Sequence, residues 1–385
     1  MQRTIFEEEH EMFRDSVRSF MKNEIMPHRE RWAEQGSVDR EAFLKAGEQG
    51  LLLMWADEEY GAAGISDFRY EQILIEENQH FGDLGFFMSL HSRLVGPYIG
   101  HLGTDEQKAR WLPKCVTGEH ILAVAMTEPG AGSDVSAIRA KAEDKGDHYL
   151  LNGSKIFISN GILADLVIVV ARTDPGAGHR GLSLFVVEAG MDGFEHGKNL
   201  DKLGLKSQDT AELFFNNVKV PKENLLGELN RGFYHLMHGL AEERLICACG
   251  FIANAEAAYN GTMEYVAERK LFGQRVADFQ NTRFKLADMR TEIDVTYAFI
   301  DQCVQQHNLG KLTAEDASKA KLWTSEVEGR VTDECLQLHG GNGYMMEYDI
   351  CQRFAAARSS RIYAGSSEVM REIIARSIGL DPRSR

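Results

Sequence analysis

The sequence predicts an α+β multidomain protein. An N-terminal α-helical domain spans residues 1–120, a middle antiparallel β domain (a barrel or a sandwich) spans 121–229, and a C-terminal four-helix bundle spans 230–385. Three observations predict it. Apolar residues recur at helical spacing early in the chain, short β-branched and aromatic runs divided by turn signals fill the middle, and long helical periodicities occupy the end. A chain of 385 residues also exceeds what one small core serves, so two or three packed units are expected.

In the first region Phe6, Phe13, Val17, Phe20, Met21 and Ile25 trace one helical face until Pro27 interrupts it. Thr104 with Gln107 fits a capping box ahead of a further helix. Residues 60–64 and the Gly96-Pro97 pair read as breaks between helices. Strand-like runs follow at 150–159, 166–171, 182–187 and 211–220, separated by Asn152-Gly153, Asn160-Gly161, Asp174-Pro175-Gly176 and Asp192-Gly193. Long helical patterns then cover 233–270, 282–308 and 313–339, and Ser366 caps a last helix ending near Gly379. Four amphipathic helices in sequence suggest an up-down bundle.

Charge and composition narrow the function. With 58 acidic and 43 basic residues the net charge is −15, which repels phosphate backbones and argues against nucleic-acid partners. No apolar run approaches the ~20 residues of a membrane span. The N-terminal MQRTIFEEEHEMF lacks leader features, so the chain is expected to be cytoplasmic, or an organelle-matrix protein whose leader has been removed. Six scattered cysteines show no metal-ligand spacing, and the expectation is reduced thiols used as small apolar fillers, with no metal. No G-x-G-x-x-G follows a strand and no P-loop appears, so a nicotinamide or P-loop reading has no basis.

Several segments carry chemistry. In 125–134, AMTEPGAGSD, the glycines let backbone approach a ligand while Thr127 and Ser133 offer hydroxyls, which suits a planar hydrogen-bonding ring or a phosphate, or else a plain interdomain turn. Phe157 lies between two Asn-Gly turns, where it flanks a flat cofactor or simply fills a core. Segment 268–280, ERKLFGQRVADFQ, places Arg269, Phe272 and Gln280 after a long helix, and 337–344, QLHGGNGY, puts three glycines after another. Glu243 sits among Leu236, Gly239, Leu240, Ile246, Cys247 and Gly250 at helical spacing. A carboxylate on an apolar stripe pairs with a buried Arg (Arg244 is adjacent), faces water on a rotated helix, or acts as a desolvated base with a raised pKa. Glu242, with His235 and His238 on its N-terminal side, reads as the solvated carboxylate of the two.

In this order and spacing the segments resemble the acyl-CoA dehydrogenase family of flavoproteins over essentially the whole chain. AMTEPGAGSD and the pair QLHGGNGY and IYAGSSE (362–368) are highly specific to it. The detail is closest to the long-chain and isovaleryl-type members, judged by LNGSKIFISNG (151–161), GLKSQDTAELFF (204–215), GFYHLM (232–237) and EERL (242–245). The resemblance implies an N-terminal α domain, a middle antiparallel β-barrel and a four-helix bundle, usually as a homotetramer binding FAD. It places Val124, Met126, Thr127 and Ser133 along the flavin, with Phe157, Ile158 and Ser159 on the ring's other side. It brings Arg269, Phe272, Gln280, Gln337, Gly340 and Gly341 to the FAD of a neighbouring subunit and lets Ser366 and Glu368 close the site. It assigns Ser133, Tyr234, Arg244, Ala364 and Gly365 to the substrate. In short- and medium-chain members the base is the Glu of an IYEGT segment, a position held here by Ala364. In long-chain and isovaleryl-type members the base precedes an Arg on the bundle helix, which is Glu243 here. The implied reaction is oxidation of an acyl-CoA to the trans-2-enoyl-CoA, with electrons passed to an electron-transfer flavoprotein. An acyl-CoA oxidase and an inactive acyl-CoA- or flavin-binding relative are the alternatives. The small residues Gly239, Gly250 and Gly365 leave room for a long or branched chain.

Overall fold

The structure, a computed structural model, describes residues 2–381. The chain opens with helices α1 (Glu8–Phe20), α2 (Arg29–Gln35), α3 (Arg40–Glu48), α4 (Phe68–Phe81), α5 (Gly96–Leu102) and α6 (Asp105–Val116). The Thr104–Gln107 capping box forms at the start of α6. Pro27 does not end the helical run, because a π-helical turn at Met21–Ile25 and a 3₁₀ turn at Met26–His28 carry the chain into α2. Gly96-Pro97 likewise does not break the chain into separate helices. Pro97 occupies the first turn of α5, which continues without interruption from a π-helical segment, Leu90–Val95.

The middle region holds β1 (Leu122–Ala125), β2 (Lys141–Asp144), β3 (His148–Ser159), β4 (Leu166–Arg172), β5 (Leu182–Glu188), β6 (Phe194–Asn199), β7 (Thr210–Pro221) and β8 (Leu225–Leu226). They form one sheet in the order β6-β7-β3-β2-β4-β5-β8, with β1 alongside β4. Most neighbours are antiparallel, and the departures from the expected pattern are β1, which runs parallel to β4, and β2, whose pairing with β4 at Lys141–Arg172 is also parallel. A parallel partner needs a long crossover, and the segment from β1 to β4 supplies it. The pleat then divides the core. Leu166, Ile168 and Val170 of β4 and Leu182, Leu184 and Val186 of β5 face the N-terminal helices, while Val167, Val169, Phe185 and Val187 face β3 and β7. Burial of both faces explains why β4 reads as a continuous apolar run.

The C-terminal region contains α7 (Gly232–Glu268), a β9–β10 hairpin (Lys270–Leu271 and Gln274–Arg275), α8 (Gln280–Asn308), α9 (Ala314–His339), α10 (Asp349–Ser360) and α11 (Ser367–Ser377). Helices α7, α8 and α9 are long, whereas the fourth member of the bundle is the short α10, followed by α11. Phe68 and Ile75 of α4 join the bundle core, which locks the first region onto the last. Cys115, Cys247, Cys249, Cys303 and Cys335 are buried free thiols, and Cys351 is half-buried. No helix among the described residues is long and apolar enough to cross a membrane.

Candidate active site

Glu243 lies in the buried stretch of α7 and is 7 % exposed. Among the described residues it has no cationic partner. Arg244 turns toward α9 instead, where its Nη1 donates to Ser318 Oγ at 3.2 Å. The partner of Glu243 comes from the other end of the sequence: the Tyr98 hydroxyl on α5 donates to Glu243 Oε1 at 2.8 Å. Gly239, one turn earlier on α7, makes room for both groups. A Cβ there would stand 3.2 Å from Glu243 Oε1 and 3.4 Å from the Tyr98 oxygen. Burial pushes the Glu243 carboxyl up to about 7, and the Tyr98 hydrogen bond and the Arg244 charge offset only part of that rise.

Glu242 corrects an expectation. It is not solvated but half-buried, paired with Arg93 Nε at 2.7 Å and His307 Nε2 at 2.6 Å. Burial works to raise its pKa, but His307 and Arg93 outweigh that and hold the carboxyl below its ordinary value. Adjacent carboxylates are thereby driven apart, one fixed as an anion and the other poised to exchange a proton near neutral pH.

The AMTEPGAGSD loop leaves the end of β1. Glu128 anchors it, accepting the Arg139 and Ala140 N–H groups at 2.7 and 2.9 Å and the Lys155 ammonium at 2.9 Å. Lys155, buried on β3, also donates to the Met126 carbonyl at 2.9 Å, and burial pushes its pKa down to about 8 although Glu128 opposes the fall. Among the described residues the N–H groups of Met126, Thr127, Gly132 and Ser133 have no acceptor, and a Cβ on Gly130 or Gly132 would meet nothing within 4 Å. Unpaired donors facing open space form a cradle for a hydrogen-bonding ring or a phosphate.

Beside the loop, the β3–β7 register slips between Lys155 and Ile158. The bulge puts Phe157 at φ 61° and leaves it 64 % exposed, so its ring projects from the sheet instead of filling the core. Ile158 does the reverse: its side chain packs in the sheet core, and its backbone pairs with Ala211 of β7 and accepts the Gly161 N–H. Ser159 and Val124 are half-buried. The turn after α10 sets Ala364 at φ 53° and Gly365 at φ 89°, and the Ala364 N–H has no acceptor among the described residues. Ser366 then caps α11 by accepting the Val369 N–H, with Glu368 exposed in the first turn. Tyr234 is exposed near the start of α7, with the Arg231 guanidinium over its ring.

The remaining candidates lie elsewhere. Arg269 ends α7 roughly 26 residues beyond Glu243, about 39 Å away at about 1.5 Å per residue. Phe272, at φ 51° and 96 % exposed, tips the β9–β10 hairpin, and Gln280 begins α8. The turn with Gly340 and Gly341 follows α9 at the same end. The Tyr265 hydroxyl of α7 donates to the His339 carbonyl at 3.2 Å and accepts from Asn342 at 3.0 Å, and Gln337 is exposed close by. Arg269 and the turn with Gly340 and Gly341 therefore gather at the C-terminal end of α7, away from Glu243.

Residues 7–119, 123–218 and 230–379 match, in turn, the N-terminal, middle and C-terminal domains of acyl-CoA dehydrogenase. The chain belongs to the acyl-CoA dehydrogenase family. The long-chain specific acyl-CoA dehydrogenase of rat mitochondria is 48 % identical over 98 % of this chain and 88 % of its own length. An isovaleryl-CoA dehydrogenase from Pongo abelii is 36 % identical over 97 % and 89 %. The crystal structure of an acyl-CoA dehydrogenase from Geobacillus kaustophilus superposes with a TM-score of 0.95 at 47 % identity, covering 97 % of this chain and 99 % of that one. Membership in the acyl-CoA dehydrogenase family implies a flavin cofactor. The unpaired amides of the 126–133 loop and the outward Phe157 ring fit such a group.

Within this acyl-CoA dehydrogenase fold, some functional neighbours left no local mark in the sequence. Tyr98 is 145 residues from Glu243, so no spacing argument connects them. Lys155 and Lys321 did leave a trace, each being a cation at an inward-facing position of its strand or helix.

Proposed function

We propose that this protein is an FAD-dependent acyl-CoA dehydrogenase that converts a long-, medium- or branched-chain acyl-CoA to its trans-2-enoyl-CoA. The observation that carries this reading is Glu243: a buried carboxylate with no cationic partner among the described residues, its pKa pushed up to about 7, on the bundle helix of a chain in this family. A base of that strength is half ionised near neutral pH and takes an α-proton without needing an extreme driving force. The Ala364 N–H, which has no acceptor among the described residues, donates to the thioester carbonyl and makes that α-hydrogen more acidic. Ser133, Tyr234, Arg244 and Gly365 line the substrate's path. The loop from Val124 to Ser133 holds the flavin on one side, and Phe157 with the backbone of Ile158 and Ser159 on the other. FAD, when bound, supplies the acceptor for the β-hydride, and an electron-transfer flavoprotein takes the electrons onward.

The remaining FAD contacts come from another copy of the chain in a homotetramer. The about 39 Å between Glu243 and Arg269 supports this, since one extended dinucleotide cannot reach both groups within one subunit. Arg269, Phe272, Gln280, Gln337, Gly340 and Gly341 then serve a neighbour's FAD, while Ser366 and Glu368 close the site.

The test is anaerobic mixing of the purified holoprotein with linear and branched acyl-CoAs from short to long. Bleaching of the flavin band reports both reaction class and chain preference. Glu243→Gln should keep the flavin spectrum and acyl-CoA binding while losing bleaching by orders of magnitude. Normal bleaching in that variant would remove Glu243 from the mechanism.

A further inference from the structure

Lys321 lies on the buried face of α9 with no exposed surface, and among the described residues no carboxylate pairs with it. An ammonium without a counter-ion is costly inside a helical bundle, where an apolar side chain of the same length packs without penalty. Its hydrogen bonds show what it does. Nζ donates to the Ser360 carbonyl at 2.8 Å and the Gly365 carbonyl at 2.6 Å, and the Phe251 ring centroid lies 6.0 Å away.

The two carbonyls bracket the turn that carries Ala364. Ala364 and Gly365 are successive residues with positive φ, a conformation that Ala adopts only when its surroundings impose it. On one side, the Ile362 and Tyr363 N–H groups return to the Ser359 carbonyl; on the other, the Ser367 N–H returns to the Arg361 carbonyl. Between these bonds the Ala364 N–H has no acceptor among the described residues. The Tyr363 ring packs edge-on against Phe251 at 5.6 Å, and Phe251 is on the same stripe of α7 as Cys247 and Glu243. One turn before Lys321 on α9, Ser318 holds Arg244. The base and the turn are thus fixed against each other through α7 and α9.

We propose that Lys321 is a positioning residue for the reaction: by tying the carbonyls of Ser360 and Gly365 together, its Nζ sets the direction in which the Ala364 N–H meets a thioester carbonyl. This inference rests on the dehydrogenase reading above. Catalytic groups displaced by about an ångström lose on the order of a hundredfold in rate. Lys321→Met keeps an unbranched apolar chain out to the ε position and removes the ammonium with its donors.

The experiment uses the holoenzyme and two readouts: steady-state kcat and KM with an acyl-CoA the wild type bleaches, and the infrared stretch of a carbonyl-labelled 2-enoyl-CoA bound at the site. Lys321→Met should retain flavin, lose roughly ten- to a hundredfold in kcat with little change in KM, and return the stretch toward the value of the free thioester. Should that variant not fold, Lys321→Gln serves. It keeps an N–H donor but is one bond shorter, so it cannot reach both carbonyls, and the same shift is expected. A stretch unchanged from wild type in a folded variant overturns the proposal, even where kcat falls, because the lysine would then be merely structural. Unchanged kcat overturns it as well. A wild type that bleaches with no acyl-CoA fails at the earlier step, sinking the dehydrogenase reading and this inference with it.

Discussion

Replacing Tyr98 with Phe removes one oxygen from the buried pair it forms with Glu243 and changes little else, since the ring keeps its place in the core. The lost hydrogen bond, 2.8 Å from hydroxyl to carboxylate, is made to a charged acceptor. Such bonds contribute about 1.5–3 kcal/mol, and one pKa unit corresponds to about 1.36 kcal/mol. The bond lowers the Glu243 pKa, so its loss raises it, from about 7 to roughly 8–9. Proton abstraction needs the ionised form, so activity increases with pH through this value. At pH 7 the ionised fraction should drop from about half to about 1–10 %, a loss of roughly five- to fiftyfold in kcat/KM that is recovered at alkaline pH. The groups facing the carboxylate from α7 itself, Arg244 and the paired Glu242, are untouched by the change. The assay is the pH profile of kcat/KM for wild type and Tyr98→Phe with one acyl-CoA. An acid limb at the same pH in both would refute the reasoning, and an equal loss at every pH would mean that the hydroxyl orients the carboxylate without tuning it.

Glu243→Gln should also raise stability in a pH-dependent way. The folded pKa of about 7 exceeds the ordinary 4.5, so ionising Glu243 destabilises the fold by up to about 3 kcal/mol above pH 7 and little below pH 5; thermal melts at pH 8 should favour the variant, with the gap closing toward pH 5. Gly239→Ala gains up to about 1 kcal/mol of helix propensity but forces a Cβ to 3.2 Å from the carboxylate, so kcat should fall while the melting temperature holds or rises. Lys155→Met leaves Glu128 without its cation beneath the 126–134 loop, at a cost of about 3–5 kcal/mol; the purified variant should carry less flavin, read from the ratio of visible to protein absorbance.

The amino-acid sequence alone carried the three-part order, the long bundle helices, the principal strands and the placing of Glu243 on an apolar stripe. These depend on local period, on caps and turns, and on residue types within short segments. Residues whose environment comes from distant parts of the chain were not legible. Glu242 looks solvated from its helical neighbours, yet Arg93 and His307, from other helices, bury and pair it. Ile158 and Phe157 are consecutive, and only the bulge against β7 decides which faces the core and which projects. The Gly96-Pro97 pair has the composition of a break but begins α5, and the packing of that helix delivers the Tyr98 hydroxyl to Glu243. A pKa is set by everything within several ångströms, and in this chain those neighbours lie as many as 145 residues apart. The sequence could therefore name the carboxylate, but only the tertiary structure could set its proton affinity.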